Sequence, residues 1–199
     1  MYIERCVVNL EQARIAVSEG AKRLELCSAL EHDGLTACRE VFLQIKAELE
    51  VPLRVMLREQ HPGFKASAED MRKMCAAAEW FKQHAADGFV FGFADAGFIL
   101  RSETQQLLDM CAPLPCTFHK AFDACQDLTA SLEELVELGF DAILTSGGAD
   151  TASEGAEVLK VLKQQAGQRI GIIVAGKVRQ HNIQRLATET QADYFHFRV

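Results

Sequence analysis

Eight short β-type runs recur along the chain, some alternating apolar and polar positions and some apolar almost throughout: IERCV from Ile3, RLELC from Arg23, LRVML from Leu53, GFVFG from Gly88, CTFH from Cys116, AILTS from Ala142, IGIIV from Ile170 and YFHF from Tyr194. Their length and their β-branched and aromatic content predict strands. Between them lie longer segments with apolar residues at helical spacing, such as Leu132, Leu135, Val136 and Leu138. Asn9, Ser102 and Thr151, each followed three positions on by Gln12, Gln105 and Glu154, are predicted helix caps, and Gly20, Gly139 and Gly167 predicted helix stops. Successive runs begin about 20 to 35 residues apart, the span of a βαβ unit. Eight such units in a row predict an α/β fold, a (β/α)8 TIM barrel formed as a single domain by residues 1–199. An open doubly wound sheet is the rival; VVNLEQ, in the first turn, lacks the G-x-G-x-x-G loop of its dinucleotide-binding versions. The sequence reaches Val199 directly after the eighth run, so the eighth helix is expected to be missing or truncated. One apolar side of the barrel is then expected to be bare, to be covered either by a second copy in a homodimer or larger oligomer or by sequence lost through truncation.

Parity within the runs places the polar residues. Side chains two apart in a strand share a face. Glu4 with Cys6, Arg23 with Glu25 and Cys27, Arg54 with Met56 and Arg58, Thr117 with His119, and Tyr194 with His196 form one set. The other set is apolar, Leu24, Leu26, Leu53, Val55, Leu57, Phe118 and Phe195, with Arg5 the exception. Helices cover the outside of a barrel, so the apolar set is expected outside and the polar set inside. Buried charges must pair, and Glu4, Arg23 and Arg54, early in their strands, fit a salt-bridged plug as well as a site. Glu25, Arg58, His119 and His196 fall at or near the C-terminal strand ends, where barrel active sites lie, and are the candidate catalytic residues. The stretch TFHKAFD, Thr117–Asp123, reads as part of that rim.

Bulk composition narrows the partners. An apolar fraction of 49% and a charged fraction of 25% are those of a folded globular domain. A formal charge of −7 with no basic run argues against nucleic acid. No stretch approaches 18 uncharged apolar residues and the N-terminal segment carries charges within its apolar region, so a cytoplasmic protein with no membrane partner is expected. The seven cysteines are odd in number, irregularly spaced and without a C-x-x-C, which argues against a disulfide framework or zinc ribbon. Cys38, Cys75, Cys111 and Cys116 are read as structural; Cys6 and Cys27 carry the inward parity. Two glycine turns, TSGGAD and VAGKVR, put Ser146, Gly147, Gly148, Gly176 and Lys177 in place to hold a small anion, phosphorylated substrates included. An enzyme built on these residues uses Glu25 or His119 as general base, Arg58 and the turns to hold the anion, and His196 as acid or electrophile.

RLELCSALEHDGLT, VMLR, GFVFG, TFHKAFD, ILTSGGA and the histidine of YFHF, in this order and spacing, resemble the CutC copper-homeostasis family over essentially all of the chain. The resemblance implies a TIM barrel in the cytosol, a role in copper handling, copper binding and dimeric or higher assembly, and no established reaction. The chain departs from the family pattern at Lys120, at Glu59 and Gln60, near Asp33, in the AGK of the later turn and in its HFRV ending. Copper(I) is soft and prefers thiolate and thioether ligands, with imidazole acceptable. Cys6 and Cys27, on neighbouring strands, are the expected metal pair, with Met56 and His119 as further donors of suitable type.

Overall fold

The computed structural model describes residues 1–59 and 62–199; Gln60 lies outside the described residues. In chain order the elements are β1 (Tyr2–Val7), α1 (Leu10–Ser18), β2 (Arg23–Leu26), α2 (Arg39–Glu48), β3 (Leu53–Met56), α3 (Ala68–Gln83) and β4 (Gly88–Phe91). A ribbon of β5 (Ala94–Asp95) and β6 (Phe98–Ile99) precedes α4 (Arg101–Cys111). Then follow β7 (Cys116–Phe118), α5 (Leu128–Leu138), β8 (Ala142–Thr145), α6 (Ala156–Ala166), β9 (Gly171–Val174), α7 (Ile183–Thr190) and β10 (Tyr194–Arg198). Without the ribbon, eight strands pair in parallel and close through β1 and β10. The eight predicted runs are these strands, and the fold is a TIM barrel with seven helices among the described residues.

Strand parity builds the core as expected. Leu24, Leu53, Val55, Phe89, Phe118 and Phe195 are fully buried against helix residues such as Phe42, Phe81, Leu132 and Leu159. Burying each such side chain contributes about 1.5–3 kcal/mol. Asn9 caps α1, accepting from the Gln12 amide at 2.9 Å, and Gly139 ends α5 in the left-handed region at φ 91°. Two predicted caps are corrected. Helix α4 starts at Arg101 with Leu100 before it, so Ser102 lies inside the first turn. Thr151 does accept from the Glu154 amide at 3.2 Å, but that turn precedes α6, which begins at Ala156.

The expected bare side is also corrected. On β10 the outward Phe195 and Phe197 are 0% and 6% exposed. Arg5, the parity exception, lays its guanidinium 4.4 Å from the Phe197 ring centroid and pairs with Glu19 of the α1 end at 2.6 Å. Its aliphatic stem and planar head thus cover apolar surface. Tyr194, assigned the inward parity, is 39% exposed and meets Tyr2 edge-on, because β10 starts below the packed interior.

Candidate functional site at the barrel mouth

Inside the barrel, polar side chains form two layers. In the lower layer the register sets Glu4 beside Arg23 and His196. Arg23 Nε donates to Glu4 Oε2 at 2.5 Å, His196 Nδ1 meets Glu4 Oε1 at 2.8 Å, and Arg54 donates to the Thr117 hydroxyl. Burial opposes the Glu4 charge, but the His196 hydrogen bond and Arg23 outweigh it and hold the carboxyl at about 2. Of the three residues expected to form a salt-bridged plug, Glu4 and Arg23 are ion-paired, with His196 on the other carboxylate oxygen, while Arg54 joins the layer through a hydroxyl.

Above this layer a cavity of about 620 Å³ opens at the C-terminal strand ends, lined by Cys6, Glu25, Cys27, Arg58, His119 and His196 among others. The four expected catalytic residues and both expected metal ligands thus reach one space. Cys6 and Cys27 bring their sulfurs to 3.3 Å and pack with Met56 and Val90 in one buried cluster. Their mutual hydrogen bond, then burial, pushes the Cys6 thiol well up. Glu25, opposite Cys6 in the β1–β2 register, is 2% exposed and its Oε2 has no hydrogen-bond partner. Burial raises its pKa, against the pull of His196. The His196 ring has Nε2 at 3.9 Å from Glu25 Oε1. Burial opposes its charge, yet Glu25, Cys6 and Glu4 together hold it well above the ordinary histidine value.

His119 and Arg58 stand apart from this cluster. His119 Nδ1 accepts from the Ala121 amide at 3.2 Å, capping the short 3-10 turn over 120–124. That leaves the proton on Nε2, which is buried without a partner. Burial, then Arg58, lowers the His119 pKa to about 3, so the ring is a neutral donor rather than the expected general base. Arg58 spends its terminal nitrogens on backbone carbonyls, those of His32 at 3.2 Å and Gly63 at 3.1 Å, while Nε has no partner. Phe64 spans the two, its ring centroid 5.0 Å from the Arg58 guanidinium carbon and 5.3 Å from the His119 ring.

The first glycine turn differs from expectation. The Asp123 carboxylate accepts from the Ser146 amide and hydroxyl, both at 3.0 Å, from the Gly148 amide at 2.9 Å, and from the Thr145 hydroxyl. The Gly147 amide is taken by Thr145 Oγ1 at 2.9 Å. Ser146 and Gly147 are buried and do not line the cavity; Gly148, Gly176 and Lys177 do. The Ser146 and Gly148 donors expected for a small anion are thus occupied by a carboxylate of the chain itself. Lys120 sits 3.7 Å from the same carboxylate, 42% exposed. Asp123 and Phe64 are the site residues that parity could not find, since neither lies on a strand. A carboxylate four residues after His119 was the available signal.

The CutC family model matches residues 1–199. The human copper homeostasis protein cutC homolog is 38% identical over 195 residues, covering 98% of this chain and 71% of that protein. Its Caenorhabditis elegans counterpart is 33% identical, with 98% and 78% covered. The solved CutC structure from Streptococcus agalactiae superposes with a TM-score of 0.94 at 28% identity, covering 99% and 98% of the two chains. An aldolase, QR15, with a TM-score of 0.68 at 15% identity, shares the fold alone. On the full-length family match and these relatives, the chain belongs to the CutC copper-homeostasis family.

Proposed function

We propose that this protein binds copper(I) in the cytosol through Cys6 and Cys27. The supporting observation is the thiol pair itself, 3.3 Å between sulfurs, buried, and lining a cavity open to solvent. Two thiols with the Met56 thioether in the same cluster suit a soft monovalent ion. All seven cysteines are free, in keeping with a reducing compartment. The copper homeostasis names of the relatives point the same way. Cys6→Ser combined with Cys27→Ser is expected to abolish stoichiometric copper(I) uptake against a competing chelator while the melting transition persists. Retained uptake in the folded double variant overturns this reading.

A second reading, an enzyme acting on a small anionic substrate, is favoured by one observation: Glu25 Oε2, Arg58 Nε and His119 Nε2 are all buried and without partners beside one cavity. In it Glu25 takes a proton, His196 gives one, His119 donates its Nε2 hydrogen to the developing negative charge, and Arg58 with Gly176 and Lys177 attracts the substrate.

A further inference from the structure

Cys6 belongs to a second donor set besides the thiol pair. One ligand atom from each of Cys6, Glu25 and His196 lies within 4.8 Å of the other two. The three come from β1, β2 and β10, neighbouring strands that closure of the barrel brings together. Two of them are set for the task, and binding displaces the protons of His196 Nε2 and the Cys6 thiol. Glu4 Oε1, at 2.8 Å, accepts from His196 Nδ1 and so leaves Nε2 directed to the Glu25 side, the carboxylate–histidine arrangement that orients metal-binding imidazoles. Glu25 Oε2, in a side chain 2% exposed, has no partner. A buried carboxylate oxygen left unmatched is costly, and a cation supplies the match.

We propose that Cys6, Glu25 and His196 form a binding site for a divalent cation of the zinc class, distinct in ligands from the copper(I) pair and overlapping it at Cys6. One sulfur, one nitrogen and one oxygen donor suit a borderline divalent ion and not a soft monovalent one. Side-chain rotation closes the observed spread onto bonds of about 2.0–2.3 Å. Three protein donors leave one coordination position for water from the cavity, the pattern of exchangeable or catalytic zinc and not of closed structural sites. Because both sets need the same sulfur, the two ions exclude each other. The site shares Cys6 with the copper(I) reading but does not depend on it.

Cobalt(II), which reports thiolate ligation through a charge-transfer band, is the probe, with zinc as competitor. The reduced protein is expected to take up one equivalent of cobalt(II), lose the band on adding zinc, and lose it equally on adding one equivalent of copper(I). Glu25→Gln and His196→Gln should each weaken cobalt(II) binding by more than the roughly 10–100-fold typical of losing an outer partner, and keep copper(I) uptake, which also certifies their fold. Cys27→Ser should do the reverse. If Cys27→Ser loses both metals, or the parent protein takes up no cobalt(II), the proposal is overturned whatever copper does. If cobalt(II) binds as described and copper(I) does not, this site stands and the copper(I) reading falls.

Discussion

The two layers of the barrel interior use the same residue types to opposite ends. In the lower layer Glu4 answers both Arg23 and His196, and Arg54 reaches Thr117. In the upper layer Glu25, Arg58 and His119 each keep a buried polar atom without a partner. The strands rise by only a few residues between them, from Glu4 to Cys6 and from Arg23 to Glu25. Paired charges can lock a fold; unmatched ones weaken it and remain available to a ligand. The difference separates a layer that satisfies its own charges from one that leaves polar atoms unmatched beside the cavity.

Three measurements sharpen that contrast. The largest effect is expected in the lower layer, where Glu4→Leu strands the Arg23 charge; breaking a buried pair costs about 3–5 kcal/mol, read from urea unfolding. A loss below about 1 kcal/mol would erase the distinction between the layers. Next comes pH. His119 is held neutral in the folded state, at about 3 instead of 6.5, while the unfolded chain takes up the proton. Stability from this group is complete above about 6.5 and declines as pH falls toward 3, by about 1.4 kcal/mol per unit. Glu4, depressed to about 2, adds its loss only below its ordinary 4.5, and the raised His196 acts with opposite sign above 6.5. From pH 6.5 to 5, the parent protein is therefore expected to lose about 2 kcal/mol more than His119→Asn. Equal losses in the two proteins contradict the neutral, orphaned imidazole. The smallest effect belongs to Glu25→Gln, which removes a charge with an unmatched oxygen and should shift stability by less than about 1 kcal/mol, in the direction of gain. A loss like that of Glu4→Leu would make Glu25 part of the lower layer's structural pairing.

Much of this contrast was legible in the sequence, because strand parity is a local property. Glu25, His119 and Cys6 could be set facing inward from their own runs, and the proximity of Cys6 to Cys27 followed from consecutive parallel strands. Other features depend on groups far apart in the chain. His196 reaches Glu25 only through closure of β10 onto β1. Asp123 meets Ser146 across 23 residues, so the glycine turn looked vacant when read alone. The apolar flank of β10 looked bare because Arg5, a charged residue, was not counted as cover. Ser102 failed as a cap for a simpler reason: the chain had already turned at Leu100.

The carboxylate that Asp123 seats in the turn after β8 has one more consequence. A phosphate arriving there would have to evict a resident negative charge that keeps its tether to the chain, so eviction rather than attraction sets the threshold for entry.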